Sequence, residues 1–268
     1  MNICVIGCGA IGTTIARAVE EIPDIERLYL TDRSKECATR IQEKFAKVQY
    51  VADILPVLHD IRLVVEAASQ DAARYYAPIA LSAGVDILIM SIGVFQDEEF
   101  QNDAFRLARR KNAKIFLPSG AIGGVDALCA ANLEDLEEVT LTTTKPPSAF
   151  TGNEYLASKG IDASEIRFRT EVFSGSASEA VKHFPQNINV AATISLAGMG
   201  FDKTRISLVC DPQVATNEHH LKAKGRFGEL DVVTRNVPSP RNPKTSYLAA
   251  LSAISAIRKI CGHVWIGV

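Results

Sequence analysis

No apolar run in these 268 residues reaches the ~18 residues that a membrane-spanning helix needs. Nor is there a surplus of positive charge. The 29 Lys and Arg stand against 31 Asp and Glu, a net charge of −2, without the basic footprint of a nucleic-acid or anionic-membrane binder. The six cysteines (Cys4, Cys8, Cys37, Cys129, Cys210 and Cys261) include no CxxC pair, so reduced thiols are expected in place of a disulfide framework or a metal site. There is no repeat of solenoid period and no low-complexity segment. No cationic lead-in precedes the first apolar stretch, so no secretory signal is expected, and the expected location is the cytoplasm.

What remains is an ordinary globular composition, 47% hydrophobic and 22% charged, long enough for one large domain or two modest ones. The most informative stretch is the first dozen residues. Ile3 to Ile6 reads as a buried strand and runs into Gly7-Cys8-Gly9-Ala10-Ile11-Gly12, then into a helical stripe of Ile11, Ile15, Ala18 and Ile22. In a G-x-G-x-x-G turn the first glycine permits the tight bend, the second admits a pyrophosphate, and the third lets helix pack on strand. The helix N-terminus supplies N–H groups and positive potential to the phosphates. Leu28 to Thr31 reads as a second strand ending in Asp32, twenty residues past Gly12, where a carboxylate meets the adenosine ribose hydroxyls. Arg33 follows and can pair with a 2′-phosphate, so the expected cofactor is NAD, with NADP admitted.

Strand and helix signals then alternate up to Leu117, which predicts a Rossmann doubly wound parallel sheet. Ligands of such sheets sit at the carboxyl ends of the strands. Ala68-Ser69, Ser91 and Pro118-Ser119-Gly120 all fall at such ends, where small residues leave room for a ring and a ribose. Gly120-Ala121-Ile122-Gly123-Gly124 then reads either as a plain hinge or as a loop lining the nicotinamide end of the site. From about Glu138 the alternation lapses, which predicts a smaller α+β domain with a mixed or antiparallel sheet. The expected division is a dinucleotide-binding domain over 1–120 and a catalytic and dimerisation domain over 121–243. A C-terminal helix within 244–268, with Leu248, Leu251, Ile254 and Ile257/Arg258 on one side, is expected to pack back on the first domain.

Adjacent His219 and His220 point to opposite faces of a strand. The set Asn217, His219, Leu221, Ala223 is a half-buried face; Glu218, His220, Lys222, Lys224 is a solvated one. A histidine on the first face can titrate near neutrality and act as acid or base, with Asn217 orienting it; a satisfied structural histidine explains the same pattern. Lys244, Thr245 and Ser246, before the last helix, are the candidates for a substrate carboxylate.

These stretches resemble the L-aspartate dehydrogenase family of the NAD-biosynthesis type. The matching motifs are Pro118 to Gly124, Phe184-Pro185-x-Asn187-Ile188-Asn189-Val190-Ala191, Asp211-Pro212 with Asn217-x-His219, and Pro238-Ser239-Pro240-x-Asn242-Pro243-Lys244-Thr245-Ser246. The resemblance implies oxidation of L-aspartate to iminoaspartate with NAD or NADP. The product then yields oxaloacetate and ammonia or feeds quinolinate synthesis. It also implies a catalytic role for His219, nicotinamide contacts at Gly123 and Asn189, and a homodimer. Against it stand other dehydrogenases of similar build, acting on homoserine, dihydrodipicolinate or a sugar, and a non-catalytic NAD(H)-binding redox sensor.

Overall fold

The computed structural model describes residues 1–184, 189–240 and 242–267, with the backbone alone for 242–244. The chain divides into two units, Met1–Pro118 with Ala249–Val268, and Ser119–Leu248.

The first unit runs β1 (Asn2–Ile6), α1 (Ala10–Val19), β2 (Arg27–Thr31), α2 (Lys35–Gln42), β3 (Val48–Tyr50), β4 (Ile61–Glu66), α3 (Gln70–Ser82), β5 (Asp86–Ile89), α4 (Glu98–Lys111) and β6 (Ile115–Phe116). Its sheet has the order β3-β2-β1-β4-β5-β6 and every pairing is parallel. The predicted doubly wound sheet is therefore present. Parallel strands covered on both faces must be apolar throughout, which is why Ile3, Cys4, Val5, Leu63, Val64 and Val65 are all fully buried. Each such side chain contributes roughly 1.5–3 kcal/mol of burial. Caps fix where the helices begin: Ser34 Oγ accepts from Cys37 N, Ser69 Oγ from Ala72 N and Asp97 Oδ1 from Phe100 N. The strand order reverses at β1 and β4, which opens the ligand crevice of this architecture at their carboxyl ends.

The second unit begins with α5 (Val125–Ala131) and β7 (Leu136–Lys145). It continues with α6 (Glu154–Ser158), β8 (Thr170–Ser176), α7 (Ala177–His183), α8 (Asn189–Ala197), β9 (Arg205–Cys210), β10 (Asn217–Gly225), β11 (Gly228–Asn236), β12 (Pro238–Ser239) and β13 (Asn242–Ser246). The main sheet, β11-β10-β7-β9-β8, is mixed: β7 and β9 run parallel and the other pairs antiparallel. One face packs Val139, Leu141, Ile206, Leu208, Leu221 and Ala223 into a core. Ser176 and Glu179 form a capping box at the start of α7.

β7 runs through Lys145, since proline lacks an N–H but leaves the preceding residue extended. Before the last helix, β12 and β13 form a two-stranded ribbon that includes Thr245 and Ser246. One detail differs from the sequence reading. In α9 (Tyr247–Cys261) the buried stripe is Ala250, Ala253 and Ile257, whereas Leu248 and Leu251 are 36% and 40% exposed. Ala253 and Ile257 join the core of the first unit with Ile3, Ile15 and Leu28, because small residues permit close approach. The Pro185 to Ile188 portion of the family motif lies outside the described residues. No helix among the described residues is long and apolar enough to cross a membrane.

The glycine turn gives a direct test of this packing. A Cβ on Gly12 would stand 1.9 Å from the Gly7 carbonyl oxygen. Gly12→Ala is expected to cost about 1–3 kcal/mol through overpacking, lowering the thermal unfolding midpoint and weakening NAD binding together. Calorimetry with and without NAD measures both.

Candidate active site

In the first unit the glycine turn has the geometry its sequence requires. Gly7 has φ 108°, and a Cβ there would meet the Ala67 carbonyl oxygen at 2.6 Å, so no other residue fits. A Cβ on Gly9, by contrast, would meet nothing within 4 Å, which leaves the backbone open to a phosphate. Gly9 is the N-cap of α1, no side chain caps the helix, and its first turn carries no acidic residue. Ala10 and Ile11 therefore begin a helix whose N–H groups are available to an anion. The Asp32 carboxylate is held at this edge by Cys8 N–H at 2.7 Å and Ser34 N–H at 2.8 Å. A cleft of about 620 Å³ is lined by Gly7, Asp32, Arg33, Ala68 and Ser69, joined by Tyr50, Tyr75 and Tyr76. A dinucleotide's adenosine and pyrophosphate fit these residues.

The sequence reading missed Glu66, the last residue of β4, which is fully buried. Its Oε1 accepts from Ala68 N–H, Ser69 N–H and Ser91 Oγ–H at 2.8–2.9 Å, and its Oε2 accepts from Ser91 N–H at 3.0 Å. Burial holds its carboxyl above the usual carboxylate range, while those hydrogen bonds pull the other way. One carboxylate thus fixes three residues assigned to the cofactor edge. The available signal was a single acid closing the apolar run Leu63-Val64-Val65.

In the second unit the β10 register decides the site. His219 stands opposite Thr234 of β11 and Thr143 of β7, and Asn217 opposite Asn236. Extending that register one step beyond Glu218 and Thr144 puts Lys145, the last residue of β7, level with Asn217. By strand alternation these six side chains share the face that carries Leu221 and Leu141. The apolar face therefore ends in two polar rows, Thr234–His219–Thr143 and Asn236–Asn217–Lys145. His219 is 4% exposed and its Nδ1 lies 3.0 Å from Thr143 Oγ1, so the ring is oriented by Thr143 and not by Asn217 as expected.

The electrostatics also correct the expectation of a histidine titrating near neutrality. Burial, together with the Lys145 ammonium beside it, pushes His219 down to about 3. Lys145, 8% exposed, is itself lowered to about 8 by desolvation. At neutral pH the imidazole is neutral and the lysine is the charged group. Lys145 does not stand out in the sequence because Pro146 and Pro147 follow it, where a strand ends. Counting the alternation Val139, Leu141, Thr143 one step further places it on the face of His219.

The glycine-rich loop is tied to the same edge. Gly123 N–H donates to Thr234 Oγ1 at 3.1 Å, and Asn236 Nδ2 donates to the Ala121 carbonyl at 2.8 Å. Gly120 and Gly124 take positive φ, 67° and 81°. Asn189 begins α8 and is exposed. Ser246 is buried in β13 and Thr245 half-buried, whereas the Lys244 side chain lies outside the described residues. Among the described residues no cluster of His, Cys, Asp and Glu could hold a metal ion.

Known proteins are similar to this chain in sequence and fold. Residues 126–260 match the family described as aspartate dehydrogenase, C-terminal, and residues 7–118 match homoserine dehydrogenase, NAD binding domain. An L-aspartate dehydrogenase of Methanosarcina acetivorans is 43% identical, covering 100% of this chain and 99% of that protein. One from Nitrosopumilus maritimus is 38% identical over 97% of this chain and 96% of its own length. The crystal structure of aspartate dehydrogenase from Thermotoga maritima superposes with a TM-score of 0.79 at 31% identity, covering 100% of this chain and 99% of that one.

The depressed His219 gives a stability prediction with a definite sign. The unfolded imidazole takes up a proton near 6.5 that the folded one refuses until about 3, so stability is lost as pH falls through that window. Between about pH 7.5 and pH 5 the loss from this group is about 2 kcal/mol. His219→Asn is expected to flatten that acid-side fall, as read from denaturant unfolding at the two pH values.

Proposed function

This chain belongs to the aspartate dehydrogenase family and acts on L-aspartate as an NAD(P)-dependent oxidoreductase, and we propose that His219 is its acid/base. The single observation that carries this role is a buried imidazole with Nδ1 3.0 Å from Thr143 Oγ1, at the polar end of a sheet face otherwise apolar.

Held by these residues, a nicotinamide dinucleotide would supply the hydride acceptor for the substrate Cα–H. The chain has to bind the dinucleotide, hold the amino acid and move one proton. The glycine turn with Cys8, Ala10 and Ile11 takes the pyrophosphate; Asp32 takes the adenosine ribose, and Arg33 is the residue able to meet a 2′-phosphate. Ala68, Ser69 and Ser91, set by Glu66, shape the carboxyl edge of the sheet. We assign Gly120, Ala121, Gly123 and Asn189 to the nicotinamide end. With Nδ1–H donated to Thr143 Oγ1, the Nε2 lone pair of His219 is left to take a proton from the substrate ammonium. Loss of hydride from the resulting amine gives iminoaspartate, and water then releases oxaloacetate and ammonia, or the imine feeds quinolinate synthesis. Asn217, Lys244, Thr245 and Ser246 are assigned to the substrate. The second unit is assigned as the homodimer surface, which sedimentation of the purified protein tests. Six free cysteines suit a reducing cytoplasm.

Absorbance at 340 nm with L-aspartate, L-homoserine and each cofactor tests the reaction; NAD(P)H formation is expected with L-aspartate. His219→Ala is expected to lower turnover by about 10²–10⁴-fold while the affinity for NAD stays near that of the unaltered protein. Unchanged turnover would remove His219 from the mechanism, and turnover of L-homoserine alone would replace the substrate.

A further inference from the structure

The second polar row, Asn236–Asn217–Lys145, has chemistry that the acid/base step does not use. At one end stands a buried ammonium and at the other a buried acceptor. The Asn236 orientation is settled by its bond to the Ala121 carbonyl, which only Nδ2 can make. Its Oδ1 is then a buried oxygen without a hydrogen-bond partner, on a residue 3% exposed. A buried acceptor left unmatched costs free energy, and a ligand N–H would recover it. The Lys145 ammonium, similarly removed from water, would gain from a ligand anion more than a surface lysine gains.

Lys145 on β7 and Asn236 on β11 lie on either side of β10, on the face that carries His219, so the cation and the acceptor can meet two different groups of one small ligand. The chemistry at the two ends matches: N–H at the acceptor, carboxylate at the cation, and His219 in the next row beside the amine.

We infer that Lys145 binds a carboxylate of the amino-acid substrate, while Asn236 Oδ1 at the far end of its row accepts an N–H of the substrate amine. This rests on the second unit holding the substrate near His219, as proposed above, and adds two residues to the substrate set. It also eases a conflict inside the cluster. Burial, and after it the Lys145 ammonium, keeps His219 a weak base. A carboxylate seated on that ammonium offsets its field, so the imidazole becomes a better proton acceptor once the substrate is bound.

The test compares the unaltered protein with Lys145→Met and Lys145→Arg in steady-state oxidation of L-aspartate, and in binding of succinate to the NAD-loaded protein by titration calorimetry. Lys145→Met is expected to raise KM for L-aspartate and weaken succinate by about 10–100-fold, with KM for NAD unchanged; Lys145→Arg should recover most of both. Unaltered KM and unaltered succinate affinity in Lys145→Met would overturn the inference, and a fall in kcat alone would assign Lys145 to proton transfer and overturn it as well. Should Lys145→Met fail to fold, Lys145→Arg with unchanged parameters beside Lys145→Gln with unchanged succinate affinity is the contradicting result. The succinate arm also separates two failures. If the unaltered protein binds succinate through Lys145 but does not oxidise L-aspartate, the reaction is wrong and the carboxylate site stands.

Discussion

The constraint on which the site depends is the burial of two basic groups, His219 and Lys145, on one face of one sheet. Burial lowers the proton affinity of a base, and a neighbouring cation lowers it further. The neutral state of His219 is therefore a consequence of where β7 and β10 end. It is not a property of histidine as such. The apolar rows below, Leu141, Leu221, Val139 and Ala223, exclude water from one side and set the register that brings the two groups together. A slip of one residue in β10 would send His219 to the solvated face and His220, now paired with Asp231 at 2.7 Å, to the core.

The first unit solves a different problem with the backbone. A dinucleotide is mostly phosphate, ribose and flat rings, and the chain meets it with main-chain N–H groups and small residues. Gly7 and Gly12 are each forced by an oxygen closer than any Cβ tolerates, while Gly9 is forced by no contact in the chain. The glycines that the packing demands are thereby distinguished from one that it does not. Glu66 plays a supporting part: by gathering Ala68, Ser69 and Ser91 on one carboxylate it sets the far side of the crevice without needing a side chain in it.

Much of this was legible in the sequence, and the reasons differ by unit. The parallel sheet was readable because each buried strand is a short run of apolar residues closing on a small or acidic one, with caps such as Ser34, Ser69 and Asp97 between. The face of His219 was readable from alternation alone. Lys145 and Glu66 were not, because a lone charge at a strand end looks like the end of the strand. Thr143 and Asn236 were not, because their importance comes from partners distant in sequence, 76 residues for Thr143 with His219 and 115 for Asn236 with Ala121. The α9 stripe misled because alanine, not leucine, packs where two elements approach closely.

The charge state of the His219 ring is where the account is most exposed. Nitrogen-15 NMR of the labelled imidazole, assigned by loss of its signals in His219→Ala, reads that state directly. The account predicts a neutral ring with hydrogen on Nδ1 across the whole range from about pH 8 down to about pH 5, the ordinary imidazole falling inside that range. A ring that gains its second proton with a midpoint near 6.5 would contradict it.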